Sequence, residues 1–383
     1  MTRSRFPYAS RLACVRAAMA AQNLDALVIT HPPNLFYLTG FRGSTGALIV
    51  EDAACILVVD FRYVTSAREI ALEPDLSSMT VVLADRSEDV TVVHQLQARG
   101  RQRVGIEAAW MPVLRFNRLS ALLAGEAPTP LASDRPCPVL AATERVVERA
   151  RLIKDDAEIA ILRRASRMLS RVAADALPAL VLEGRTEADV AAGIDAALRA
   201  AGFQRPAFET IVASGPNSAL PHARPGPRRL AAGDPVVLDF GGVYDGYCVD
   251  LTRTVQLAPS TAEFRRLFVA VAEAHAAAIA AVRPGTLTAD IDHTAREALG
   301  RHGLGDAFGH GTGHGLGLEV HEEPRISKAD PTRQPVSVEA GMVFTIEPGV
   351  YVPGVGGVRI EDDVLVVDGG CDVLTQVGTV QRH

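Results

Sequence analysis

Four carboxylates and one imidazole, Asp239, Asp250, His314, Glu347 and Glu361, stand at the ends of apolar runs in the C-terminal half of this 383-residue chain. Burying those runs in one core carries the polar groups inward together, and like charges so crowded need positive charge between them. Oxygen-rich ligation with one imidazole suits Mn²⁺, Co²⁺ or Zn²⁺. Two closely spaced divalent cations are therefore expected in this half of the chain.

The length allows two domains, each with a sizeable core. A formal net charge of −6, from 39 Lys and Arg against 45 Asp and Glu, leaves no basic footprint for nucleic acid. Cys14, Cys55, Cys137, Cys248 and Cys371 have no C-x-x-C spacing, and an odd number fits no disulfide framework, so reduced thiols are expected. Arg3, Arg5, Arg11 and Arg16 interrupt the N-terminus, which reads as neither secretory signal nor anchor. With no uncharged apolar run of the ~18 residues that span a membrane, the expectation is a cytoplasmic protein.

Apolar periodicity predicts a helix over 10–22, strands over 26–30, 47–50 and 55–59, a helix over 63–72, a strand over 80–84, a helix over 90–99 and a strand over 103–107. This alternation predicts an α/β N-terminal domain over 1–142. Pro128, Pro130, Pro136 and Pro138 mark 127–141 as a linker. A second domain, 143–383, opens with a helix from Asp155, where Asp155 and Glu158 form a capping-box pattern, to Leu177 before Pro178. A second helix spans 186–201, with Thr186 and Asp189 at its start and Gly202 at its end. Strands at 210–213, 235–240, 342–346 and 357–367, with helices near 261–282 and 288–301, predict an α+β domain built on a largely antiparallel sheet.

Within it, the run Val236-Val237-Leu238-Asp239-Phe240-Gly241-Gly242 reads as a buried strand ending at Asp239, where the glycines make the backbone irregular. Asp245-Gly246 then turns the chain into a second strand carrying Asp250. Thr252, on the same strand face, is expected to orient the Asp250 carboxylate. His310, His314 and His321 fall in one segment interleaved with glycines at 309, 311, 313, 315 and 317. Glycine permits positive φ and close approach, so the imidazoles can converge. Clustered imidazoles signal metal or proton chemistry. Glu347 ends a strand, and Arg359 and Glu361 share a face of the next by the strand period of two, as would Asp363.

These motifs resemble the pita-bread metallopeptidases, in the Xaa-Pro branch that includes prolidase and aminopeptidase P. Tyr37-Leu38-Thr39-Gly40-Phe41 and Asp60-Phe61-Arg62-Tyr63 are similar to that branch's N-terminal domain, and Ile153-Lys154 with Glu158-Ile159 to the start of its catalytic domain. The resemblance implies a creatinase-like α/β domain followed by a pita-bread (creatinase/aminopeptidase) domain. It places Asp239 on one metal ion, His314 and Glu347 on the other, and Asp250 and Glu361 between them. Two such ions, ~3.5–4 Å apart, acidify a bridging water and polarise a carbonyl. Glu347 is then also the proton acceptor. His222, beside Pro221, is implied to stabilise the intermediate or carry a proton to the leaving amine. His321 and Arg359 are implied near the proline ring or its carboxylate, His310 in the same pocket and Tyr351 as a pocket wall.

The implied substrates are short proline-containing peptides, with Xaa-Pro dipeptides favoured over longer ones, and the implied assembly is a homodimer. The N-terminal domain would wall off the cleft and limit substrate length. Methionine aminopeptidases share the ligands but typically lack the first domain. Creatinase-like amidinohydrolases lack the carboxylate set. Another amidohydrolase of modified amino acids and an inactive binding relative are the alternatives, the latter at odds with five intact ligands. Val249 and Pro235 depart from the family pattern at positions where a regular strand tolerates them.

Overall fold

The computed structural model of the chain describes residues 6–125, 137–332 and 334–377. It divides into two compact units, Met1–Arg151 and Leu152–His383. The expected boundary at 142/143 would cut the last strand of the first unit. That strand continues a sheet, so the division falls later.

The first unit runs α1 (Tyr8–Ala21), β1 (Ala26–Ile29), α2 (Pro32–Thr39), β2 (Ala47–Glu51), β3 (Cys55–Val59), α3 (Val64–Ile70), β4 (Met79–Leu83), α4 (Glu88–Ala98), β5 (Arg103–Glu107), α5 (Val113–Leu123), β6 (Val139–Thr143) and α6 (Val146–Leu152). Its sheet has the order β4-β3-β2-β1-β5-β6. The β1/β2 and β2/β3 pairs are antiparallel, and the β1/β5, β5/β6 and β3/β4 pairs parallel. Every residue of β1, β2 and β3 is buried, which accounts for their nearly continuous apolar runs.

Two features of this unit depart from expectation. The periodicity predicts no helix between 30 and 47, yet Pro32 and Pro33 occupy the first turn of α2, where no N–H is needed, and Gly40 at φ 76° ends the helix. The expected linker at 127–141 lies mostly outside the described residues, but its last residues belong to β6, in register with β5.

The second unit begins with α7 (Asp156–Leu180) and α8 (Glu187–Ala200), both opened by complete capping boxes on Asp155 and Thr186. Helix α7 continues past its expected end, because Pro178 lies in the last turn and forfeits only one intrahelical bond. Its buried stripe runs from Glu158 through Leu162, Ala165, Ser166 and Leu169 to Leu177. There follow β7 (Arg205–Pro206), β8 (Ile211–Ser214), β9 (Pro235–Tyr244), β10 (Tyr247–Gln256), α9 (Ala262–Ala281) and α10 (Thr288–Arg301). The chain ends with β11 (Gly313–Gly315), β12 (Glu322–Ile326), β13 (Val343–Ile346), β14 (Gly349–Val352), β15 (Gly356–Arg359), β16 (Asp362–Val367) and β17 (Gly370–Val373).

All pairings in this unit are antiparallel. One sheet has the order β10-β9-β7 with β8 also on β9, a second has β12-β11-β13-β16-β17, and β14-β15 is a separate hairpin. The core under the second sheet combines Ala270, Ala274 and Ala278 of α9 with Ile291 and Ala295 of α10, Phe344 and Val364. Small residues on α9 let that helix lie close to the strands. No helix among the described residues is long and apolar enough to cross a membrane.

Candidate metal centre

The β9/β10 hairpin fixes the first two carboxylates. Asp245 and Gly246 both have positive φ, 53° and 93°, the geometry of a two-residue turn matched to strand twist. In the resulting register Thr252 faces Asp239 and Asp250 faces Gly241. Asp239, Asp250 and Thr252 thus lie on one face, with the two aspartates as diagonal neighbours. Asp239 sits within β9, whereas the sequence suggested a strand end. Gly241 and Gly242 do not interrupt the strand; a Cβ there would stand 2.4 Å from the Val249 carbonyl oxygen and 2.4 Å from the Phe203 ring.

His314 enters from β11, a strand three residues long inserted between β12 and β13. Its glycine neighbours serve close approach alone. A Cβ on Gly313 would lie 1.8 Å from the Thr345 carbonyl oxygen, and one on Gly315 2.0 Å from that of Glu323. None of the five interleaved glycines has positive φ, contrary to one half of the expectation. The His314 amide donates to Thr345 Oγ1 at 3.1 Å, and its Nδ1 lies 3.2 Å from the Gly315 carbonyl. A proton on Nδ1 leaves the Nε2 lone pair free toward the carboxylates.

The expected strand over 357–367 is two strands in two sheets. β15 pairs with β14, β16 pairs with β13, and between them Glu361 bridges to Thr252 of β10. The break turns Glu361 onto the face of the aspartates. Thr252 Oγ1 donates to Glu361 Oε2 at 2.5 Å, so it orients Glu361 and not Asp250 as the strand pattern implied. Asp250 is held through its backbone, where its amide donates to Asp363 Oδ2 at 3.1 Å.

Asp250, His314 and Glu361 converge, with one ligand atom from each lying within 4.8 Å of the others. Glu347 Oε1 stands 3.5 Å from His314 Nε2. Asp239 Oδ2 accepts from Arg359, while its Oδ1 is buried and has no hydrogen-bond partner among the described residues. An orphaned acceptor beside three crowded ligands is what a cation site looks like before the cation is considered. The donor set fits hard or borderline divalent ions.

Electrostatics point the same way. Burial, then the charges of Glu361 and Asp239, pushes the Asp250 carboxyl well above the usual range. Burial, then Glu347 and Asp239, does the same to Glu361. Glu347 is raised to about 7, chiefly by burial. Burial lowers His314 to about 3, so the imidazole is neutral and available as a ligand at neutral pH.

All five groups line one cleft of about 690 Å³ in the second unit, together with His222, His310, His321 and Arg359. His321 packs edge-on against His314 at 4.3 Å between ring centroids. His310 is held between the Gly311 carbonyl, 2.8 Å from Nδ1, and the Tyr351 hydroxyl, 2.9 Å from Nε2. Tyr351 itself does not line the cleft. Its hydroxyl points back to Arg359 at 2.7 Å, and Gly349 leaves room for it.

Arg359 is 3% exposed, and its donors are committed to Asp239, the Tyr351 hydroxyl, the Pro221 carbonyl and Thr252 Oγ1. That geometry braces Asp239 more than it offers a clamp for substrate. Two exposed cations line the cleft, Arg224 and Arg325; Arg224 pairs with Glu209 at 3.8 Å, and Arg325, which no sequence motif marks, stands on the strand beside His314. The one local signal of Arg325 is its place four residues after His321; its pairing with His314 across β11/β12 appears only in the fold.

Residues 160–368 match Metallopeptidase family M24, and residues 11–153 match the Creatinase/Prolidase N-terminal domain. The Xaa-Pro dipeptidase of Pyrococcus furiosus is 33% identical over 362 residues, covering 94% of this chain and 95% of the relative. The solved Xaa-Pro dipeptidase from Bacillus anthracis superposes with a TM-score of 0.88 at 30% identity, over 97% of this chain and 98% of that one. The X-Pro aminopeptidase from Thermotoga maritima MSB8 does so with 0.82 at 29% identity, over 93% and 97%.

Proposed function

The chain belongs to metallopeptidase family M24 with a creatinase/prolidase N-terminal domain, and from that membership we propose that it hydrolyses the Xaa-Pro bond of dipeptides. The observation that carries the reading is the convergence of Asp250, His314 and Glu361 inside a cleft that also holds an open cation, Arg325. The first cluster suits hydrolysis; the second suits a substrate with a free C-terminal carboxylate.

An Xaa-Pro bond is a tertiary amide without an N–H, so the peptide cannot be held by strand pairing at that point. Recognition must come from shape and from the termini. Phe208, Ile211, Pro221 and Ala223 give the cleft apolar walls for a ring. Arg325 lies where it can pair with the carboxylate, taking the part that the sequence reading gave to Arg359.

Asp239, Asp250, His314, Glu347 and Glu361 would hold two divalent ions, which we take to be Mn²⁺, with Co²⁺ or Zn²⁺ as substitutes. Bound there, such ions polarise a carbonyl and lower the pKa of water. The remaining work falls to side chains. Glu347 accepts the proton of the attacking water, Arg359 keeps Asp239 in place, and Thr252 does so for Glu361. His222 and His321, both exposed in the cleft, serve the leaving nitrogen and the developing charge. The five free cysteines agree with a reducing cytoplasm. A homodimer completes the proposal, and sedimentation would check it.

The test compares Xaa-Pro, Xaa-Pro-Yaa and Xaa-Ala substrates on Mn²⁺-loaded protein. The expected order puts Xaa-Pro first; cleavage of the longer peptides alone would make it an aminopeptidase, and inactivity on both would end the proposal. A second expectation isolates Arg325. Arg325→Ala should cut kcat/KM for Xaa-Pro about 10- to 100-fold, the weight of one charge-assisted contact, and scarcely alter that for the C-terminally amidated dipeptide. Equal losses on both would remove Arg325 from carboxylate recognition.

A further inference from the structure

We propose that Glu187, at the start of α8, is the positioning residue for His222. The inference rests on the reading that His222 acts on substrate. Glu187 does not line the cleft and is 0% exposed.

Its carboxylate gathers donors from both ends of the segment that carries His222. Oε1 accepts from the Ser214 amide at 2.8 Å, from Ser214 Oγ at 2.7 Å and from Asn217 Nδ2 at 3.0 Å. Oε2 accepts from Asn217 Nδ2 at 3.2 Å and from the Gly226 amide at 3.2 Å. The backbone around Glu187 reinforces the closure: its own amide donates to the Arg228 carbonyl at 3.0 Å, and that of Ala188 to the Gly226 carbonyl at 3.1 Å. One buried anion thus ties residues 214, 217 and 226 together, and Pro221 to Pro225 form the span between.

That span is the one that faces the cleft. Pro221, His222, Ala223, Arg224 and Pro225 all line it. Between 220 and 225 there is no helix or strand, so the backbone cannot fix His222 by itself. Its other anchors are a turn closed by the Ala223 amide on the Leu220 carbonyl at 3.2 Å, Arg359 Nη1 on the Pro221 carbonyl at 3.2 Å, the Arg224–Glu209 pair at 3.8 Å and the small apolar plug of Ala223 against Ala213 and Val237. Loops position a catalytic group only when their ends are rigid.

Every partner of Glu187 in this set is a donor, and only an anion accepts from all of them. Glutamine of the same shape would turn an NH₂ toward N–H groups. A first-turn acidic residue that merely complements the helix dipole would tolerate the exchange at small cost. The two roles therefore separate on Glu187→Gln.

The experiment is a double-mutant cycle of Glu187→Gln and His222→Ala on the full chain loaded with Mn²⁺, reading kcat and KM on Xaa-Pro and metal content. Amide hydrogen exchange over 211–228 is followed in parallel. Expected is a kcat loss of about 10-fold with KM changed less than about 2-fold and metal content kept, a loss that shrinks to under about 2-fold when His222 is already Ala. Exchange should accelerate within 214–226 and not along α8. An equal loss in both backgrounds, an unaltered kcat, or unaltered exchange would overturn the proposal. If Glu187→Gln does not fold, Asn217→Ala enters the same cycle with a smaller expected loss, about 3-fold. Should the wild-type chain cleave no Xaa-Pro substrate, the functional reading falls, while the exchange measurement still decides whether Glu187 holds the segment.

Discussion

Glu347→Gln should leave the fold intact and remove roughly three orders of magnitude of turnover, the scale of a lost general base. Burial raises the Glu347 carboxyl to about 7, against the lowering pull of Arg359 and with Asp239 adding to the rise. Divalent ions held beside it would favour its ionised form, so at neutral pH it stands as a carboxylate able to take the proton. The position is fixed: the Glu347 amide donates to the Thr312 carbonyl at 2.7 Å, and Oε1 reaches to 3.5 Å from His314 Nε2. Glutamine keeps the shape and an oxygen donor but cannot accept the proton. Replacing one of several crowded carboxylates relieves repulsion, so the melting temperature should hold or rise. Steady-state kinetics with metal content measured on the same sample decide the matter. A residual rate above about a tenth of wild type, at equal metal content, would deny Glu347 the proton-accepting role.

What the sequence made legible follows from the range of the interactions involved. The β9/β10 hairpin was readable because Asp245-Gly246 is local turn chemistry and the apolar runs on either side are contiguous. The starts of α7 and α8 were readable because a capping box spans only four residues. The five candidate ligands stood out since buried runs ending in carboxylates conflict with burial unless something compensates. Long-range features were not readable in the same way. Nothing near Glu361 announces that its strand breaks there, because the break is imposed by Thr252 of another strand. Arg359 reads as a substrate contact and proves to be a buried brace, since its partners Asp239 and Pro221 lie more than a hundred positions away. No sequence motif marks Glu187, and its contacts to Ser214 and Gly226 exist only once β8 has folded beside it. Period-two reasoning also put Thr252 beside Asp250, correctly for the face; the choice of Glu361 as partner is a matter of a second sheet crossing that face.

Stripping divalent cations should abolish hydrolysis, with recovery on adding Mn²⁺ or Co²⁺, and should also make the fold lose stability as pH rises from 7 to 8.5. Asp250, Glu361 and Asp363 all have carboxyls raised well above their usual range, with burial the first cause in each. A carboxyl whose folded pKa exceeds its unfolded value binds an extra proton in the fold. The stability it contributes is complete below the unfolded pKa and is lost as pH climbs through the folded one. Buried histidines work in the opposite sense: His314 and His310, lowered to about 3 and about 4 mainly by burial, favour the fold increasingly up to about pH 6.5 and then no further. Above that point only the carboxyls remain to act. Each one still titrating costs about 1.4 kcal/mol per pH unit, or roughly 3–5 °C in the melting temperature of a domain this size. Buried thiols such as Cys248, pushed up to about 12 by burial, add a similar loss only at higher pH and do so with or without cations, so the metal-loaded protein is the reference. Cations between the carboxylates replace the protons and should flatten the loaded profile across the same interval. Calorimetry of chelated and Mn²⁺-loaded samples at pH 7 and 8.5 reads the difference. A chelated protein that melts at the same temperature at both values, or that still hydrolyses Xaa-Pro, would mean that these side chains are satisfied without metal.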